Sequence, residues 1–318
     1  MTRKRRRPSD ELADSGPGPL ERAIARLDEA PAGLHDLAPP APALPSGLPE
    51  ALIELYAHCD GGQLYLDSLE LRSSAEVAAA HPADAARWAF AAIDGDDVEV
   101  DADGRVWRFD AGLDDHVCEG TRIDRWLAGA VDALALRYDA DGEFADGVFD
   151  DDGELHPEVA ARALRAQLRR DPGAPGPRWR LGRALVDAGD VAGGRAELEE
   201  AVTRAPAFAW AWLDLARISE KLGELPGALD EARAAADAAA GHPQAAYFHA
   251  QLARLAQRAG DEPTRVVAAR RTSELDPGLK AAQLAGAARS LADGDVGSAR
   301  GLVELLRAVW PRDLEVLD

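Results

Sequence analysis

Between Trp179 and Pro206 apolar side chains recur at helical spacing in two runs, WRLGRALVDA and VAGGRAELEEAVTRA, on either side of Gly189-Asp190. That periodicity predicts two amphipathic helices, with Gly189 ending the first and Pro206 closing the second. The punctuation returns downstream: Gly189, Gly223, Gly260 and Gly294 stand 34, 37 and 34 residues apart. Pro206, Pro277 and Pro311 keep the same phase; Ala240 takes the second unit's proline position, and Gly241-His242-Pro243 supplies the three extra residues. Small residues fall where paired helices must cross, at Gly182, Ala216, Ala253 and Ala287. A second small column, Gly194, Ala228 and Ala299, is interrupted by Arg265 in the third unit.

The front half has a different pattern. Leu20, Ile24 and Leu27 mark one short helix, and Pro39-Pro40, Pro42 and Pro45 then break regular structure. Leu52, Ile53, Leu55 and Tyr56 give a helical face after Pro49, stopped by Asp60-Gly61-Gly62. Strand-like pieces follow over 63–66, 69–72, 88–93, 97–101 and 105–110. In the last two, Val98, Val100 and Val106 face one side and Trp107 and Phe109 the other, around Asp103-Gly104, which predicts a hairpin. Ile123, Trp126, Leu127, Val131 and Leu134 predict a helix from Arg122 to about Tyr138.

The repeating unit at residues 175–318 resembles the tetratricopeptide repeat, with a 34-residue period, paired helices and a closing proline. Leu181, Leu215 and Leu252 precede the first small column and Trp212 stands three before Leu215, whereas Trp179 is one residue late and Gly286 replaces the fourth leucine. Pro172 lies 34 before Pro206, so 157–172 reads as a degenerate leading helix that would cap the array. Leu48-Pro49, Asp60-Gly61-Gly62 and the Val98–Phe109 hairpin, closed by an amphipathic helix, resemble the SUKH superfamily. That resemblance implies a non-enzymatic α+β binding domain, which in bacteria often serves as the immunity partner of a toxin. The expected organisation is a basic leader at 1–17, the SUKH-like domain at 18–138, an acidic linker at 139–156 and an all-α repeat solenoid at 157–318.

Charge divides along the same lines. The formal charge is −21, yet residues 175–318 hold 18 basic and 21 acidic side chains. Residues 1–10 hold 5 and 1, leaving 13 against 35 for residues 11–174. An acidic front domain repels nucleic acid and attracts basic protein surfaces. The tip Arg3–Arg7 alone offers phosphate contacts, too few to bind tightly. No run approaches the roughly 18 apolar residues of a membrane span, and Cys59 and Cys118 are too few for a disulfide scaffold, so a cytoplasmic setting is expected.

Candidate chemistry is sparse. Glu99-x-Asp101-x-Asp103-Gly104 superficially fits a calcium loop, but strand-like flanks favour a hairpin turn. His58-Cys59 and His116-x-Cys118 are spaced poorly for zinc. No phosphate-cradling glycine loop, serine elbow or helical His-Glu zinc motif occurs. Neither a catalytic constellation nor a metal or other cofactor is expected.

The repeats carry the more specific pattern. In tetratricopeptide arrays the first helix of each unit lines a concave groove, and offsets of three and four stay on one face. Arg180 and Arg183 then belong to the groove in the first unit; Arg217 and Lys221 in the second; Tyr247, Gln251, Arg254 and Arg258 in the third, with Trp210 and Tyr247 at the entry. Stacked arginines suit a carboxylate-bearing peptide, because guanidinium pairs carboxylate bidentately. The alternative is a solvated face whose Asp214 and Glu220 already pair them. The expected function is a non-enzymatic adaptor with a peptide groove, or alternatively an immunity protein whose acidic domain neutralises a basic, nuclease-like toxin.

Overall fold

The computed structural model describes residues 18–29, 33–81, 86–151, 153 and 155–313, so the basic tip lies outside the described residues. The chain forms two compact units, one running to Leu155 and including Arg169–Pro172, the other comprising His156–Leu168 and the chain from Gly173 onward.

In the first unit α1 (Pro19–Ala25) and a 3-10 turn precede β1 (His35–Leu37), α2 (Glu50–Tyr56), β2 (Gly62–Leu64) and β3 (Leu69–Leu71). Then come α3 (Ser74–Ala80), β4 (Arg87–Ile93), β5 (Asp96–Asp101), β6 (Val106–Asp110), β7 (Asp115–Gly120) and α4 (Ile123–Leu134). The seven strands pair in chain order, every pair antiparallel. Leu52, Leu55 and Tyr56 of α2, and Ile123, Leu127, Val131 and Leu134 of α4, share one core with Phe90, Val98, Val100 and Val106 of the sheet.

The expected hairpin is present, with Val98, Val100 and Val106 fully buried and Phe109 exposed. Asp101 organises its turn. One carboxylate oxygen accepts the backbone N–H of Asp103 and Arg105 at 3.0 and 2.9 Å, the other the Trp107 indole N–H at 2.9 Å and Arg105 Nε at 3.0 Å. A carboxylate so engaged is a turn element, not a calcium ligand. Two strands and a helix go beyond the sequence reading. β1 crosses at Gly62, where a Cβ would collide with the Asp36 carbonyl, so Asp60-Gly61-Gly62 admits a neighbouring strand as well as ending α2. α3 begins with a capping box between Ser73 and Glu76. Where the acidic linker at 139–156 is expected, described residues form the bridges Tyr138–Phe144 and Phe149–Leu155, Val148 is buried and Tyr138 stacks 5.3 Å from Tyr65.

The second unit begins with α5 (Pro157–Arg170), whose last two residues count with the first unit. Four helical hairpins follow: α6 (Pro175–Asp187) with α7 (Val191–Arg204), α8 (Ala209–Lys221) with α9 (Leu225–Ala238), α10 (Ala245–Ala259) with α11 (Glu262–Leu275), and α12 (Leu279–Ala292) with α13 (Val296–Val309). All four turn glycines have φ between 74 and 90°, left-handed backbone that a side chain would strain. In three hairpins the next residue, Asp190, Asp261 or Asp295, accepts a backbone N–H of the second helix and caps it. At the first crossing a Cβ on Gly194 would lie 2.5 Å from the Gly182 carbonyl oxygen, so both glycines are needed for the close approach.

The last hairpin departs from the pattern. α7 packs on α8 and α9 on α10, but α12 packs chiefly on α13, while α13 reaches back to α10 and α11. Helix α12 buries only Leu279 and Ala287, whereas α13 buries Ala299, Leu305, Leu306, Ala308 and Val309. Arg265, the residue that interrupts the second small column, donates to the Ala308 carbonyl at 2.6 Å and satisfies the end of α13.

Candidate functional site

Helix α8 places Asp214, Arg217 and Glu220 at three-residue intervals, on one face. α6 brings Trp179 and Arg183 to Asp214. The buried Trp179 donates its indole N–H to Asp214 at 2.8 Å, and the Arg183 guanidinium lies 4.9 Å above the indole ring and 3.9 Å from the same carboxylate. Arg217 donates to Asp214 at 2.8 Å and to the Tyr247 hydroxyl at 3.0 Å.

α10 brings its arginines to Glu220. Arg254 binds that carboxylate through both terminal nitrogens at 2.7 and 2.8 Å, and its Nε donates to the buried Gln251 at 3.0 Å. Arg258 adds a third donor at 2.5 Å. Two carboxylates thus serve four arginines, linking consecutive repeats. Burial would raise the Glu220 carboxyl, but hydrogen bonds and charge from Arg254 and Arg258 outweigh it and hold the group below the ordinary glutamate value.

Exposure separates the expected groove residues. The Arg254 side chain is 12% exposed and Glu220 11%, a tie between repeats; Arg183, Arg217 and Arg258 are 51, 46 and 49% exposed. Lys221 is exposed, Arg180 and Tyr247 half-buried, and Gln251 buried where it orients Arg254. Trp210, expected at the groove entry, is buried, 4.7 Å from Phe248 and 6.0 Å from Tyr247, and packs among these rings of α8 and α10. An aromatic at a helix start is pulled inward by its apolar area. The platform that sequence reading passed over is Trp179, whose four-residue spacing to Arg183 is a cation–π signal.

The arrangement offers guanidinium donors, and its carboxylates are occupied by those donors. Elsewhere, burial pushes the thiols of Cys59 and Cys118 up to about 11 and about 12, leaving them protonated near neutrality. Among the described residues no group of three or more His, Cys, Asp or Glu is placed to hold a metal ion, and no helix is long and apolar enough to cross a membrane.

Residues 185–252, spanning the second half of the first hairpin to the middle of α10, match the tetratricopeptide repeat family. No curated protein matches the chain. Among solved structures, the crystal structure of MamA is 20% identical, with 49% of this chain and 87% of that one covered and a TM-score of 0.35. MamA 41-end from Desulfovibrio magneticus RS-1 is 21% identical, covering 49 and 88%, with a TM-score of 0.32. YrrB, titled a TPR protein with an unusual peptide-binding site, is 16% identical, covering 51 and 81%, with a TM-score of 0.34. The family match covers 185–252 alone; the hairpins on either side share its period and its glycine turns.

Proposed function

We propose that the protein is a non-enzymatic, cytoplasmic adaptor whose repeat groove captures a carboxylate-bearing peptide. One observation carries this: Asp214 and Glu220 are each shared between arginines, so Arg183 and Arg258 stand half exposed with only part of a counter-charge. A peptide carboxylate supplies the remainder, in the bidentate geometry that guanidinium favours. Arg217 and Tyr247 extend the same surface, and Arg180 and Lys221 border it. Arg254 holds the scaffold. Charge reversal at Arg217 and Arg254, the pair that the arginine column first suggests, would therefore confound binding with unfolding. The informative variant is Arg183→Glu with Arg258→Glu, titrated by fluorescence anisotropy with a labelled Asp/Glu-rich peptide. Saturable capture by the wild type and its loss in a variant of unchanged circular dichroism is the expected result. Equal affinity for both would end the proposal.

A second reading concerns the front domain, at the 18–138 boundaries read from sequence. Residues 11–174 hold 35 acidic against 13 basic side chains, an excess suited to attracting a basic protein. With the SUKH resemblance, that supports an immunity role against a basic, nuclease-like toxin. Co-expression with such a toxin, scored by growth, distinguishes it from the adaptor reading.

A further inference from the structure

The first unit is strongly acidic, yet five of the 13 basic residues between positions 11 and 174 converge on one cavity. Arg22, Arg26, Arg125, Arg169 and Arg170 line a space of about 510 Å³ between α1, α4 and the end of α5, together with Asp124 and three alanines. That volume lies within the range of small-molecule sites, about 300–1,000 Å³.

The surrounding carboxylates do not balance the cluster. Asp132, only 9% exposed, ion-pairs both Arg26 and Arg170 at 2.5 and 2.6 Å. Asp124 is engaged by Arg122, outside the cavity, at 2.9 Å. Arg125 and Arg169 are exposed, and Arg169 reaches Asp132 only by charge at longer range. Apart from Arg22, four guanidiniums thus face two carboxylates, one of them already shared with a further arginine, Arg122. Like charges held together repel, and a bound anion relieves that cost.

The cluster is also held in place. Immediately after Arg170, buried Asp171 accepts the Thr121 hydroxyl at 2.8 Å and the Thr121 backbone N–H at 2.5 Å, which fixes the end of α5 beside α4. Asp132 fixes Arg26 and Arg170. A donor set placed before the ligand arrives loses little side-chain freedom on binding.

We propose that this cavity binds a small phosphate-bearing molecule carrying two or more negative charges, a phosphomonoester or a diphosphate. Arg125 and Arg169 clamp the anion, while Arg26 and Arg170, held by Asp132, supply further donors. Planar guanidinium forks match phosphate oxygens, and several such forks favour a polyanion over a monocarboxylate.

The test is isothermal titration calorimetry of the full chain with inorganic pyrophosphate at constant ionic strength, with chloride as the control salt. We expect one saturable site per chain. Arg125→Glu with Arg169→Glu should weaken it by at least about tenfold, given what a hydrogen bond to a charged group contributes. Should that variant melt early, Arg125→Gln with Arg169→Gln removes the same charges more gently and should still weaken binding. Arg270→Glu, an exposed arginine of α11 that belongs to neither proposed site, should leave the affinity unchanged. Absence of saturable heat, equal affinity in both of the Arg125 and Arg169 double variants, or a matching loss from Arg270→Glu overturns the proposal. So does binding only to vesicles containing anionic phospholipid, without affinity for free pyrophosphate.

Discussion

Glu220 shows how much one side chain decides in the repeat array. It receives three donors from two arginines of the next repeat while nine-tenths buried. Removing Arg254 leaves that carboxylate charged and poorly compensated, a change that costs about 3 kcal/mol. Removing half-exposed Arg258 costs under about 1 kcal/mol, as for other surface pairs. Urea unfolding of Arg254→Ala and Arg258→Ala, followed by helical circular dichroism, checks that ordering; equal losses would contradict it. The titration of Glu220 has a definite sign as well. Its folded value lies below the ordinary one, so its contribution is complete above about pH 4.3, the unperturbed value, and disappears as pH falls through the depressed value. The stability gap between wild type and Glu220→Gln should accordingly shrink from pH 7 towards pH 3. A gap constant over that range would show that the carboxylate's charge contributes nothing.

At the scale of elements, what the sequence discloses depends on how many residues carry each signal. The hairpins of 175–309 were legible because each combines a left-handed glycine, an acidic residue after it and a small residue at the crossing. Gly194→Ala probes the crossing directly. Its new methyl would meet the Gly182 carbonyl oxygen and Val186 at 2.5 Å, so overpacking should destabilise the array by about 1–3 kcal/mol. An unaltered denaturation midpoint would mean that the hairpin opens without strain. Two of the elements missed, β1 and α3, carry little signal. β1 has three residues with no alternation to read, and α3 announced itself only through Ser73 and Glu76. The sequence shows a column of arginines, but not which of them the packing buries. Arg254 and Arg183 occupy equivalent sequence positions, and only packing against Gln251 and Glu220 buries the first while Trp179 leaves the second exposed. In the rearranged last hairpin, Arg265 adds a hydrogen bond to Ala308 that no periodicity announces.

Across the whole molecule, charge is sorted unevenly along the chain. Residues 11–174 hold 35 acidic against 13 basic side chains, whereas 175–318 hold 21 against 18, close to neutrality. An excess concentrated in one segment makes a long-range field, and such a field is screened over about 10 Å at 0.1 M salt. The proposed groove differs: its arginines would act at contact distance, beside shared carboxylates and an aromatic platform, through interactions that salt weakens less. A labelled oligolysine peptide is a suitable probe of the field, and the Asp/Glu-rich peptide a probe of the groove. Raising salt from 50 to 200 mM should weaken oligolysine binding to the full chain by about tenfold or more, because each released counterion contributes to the slope, as in other polyelectrolyte encounters. Over the same interval the acidic peptide should lose only a fraction of that. Arg183→Glu with Arg258→Glu should abolish the second binding and leave the first intact. If both probes weaken in parallel, or if the array variant alters oligolysine binding, the two surfaces are not separate and net charge alone governs what this chain attracts.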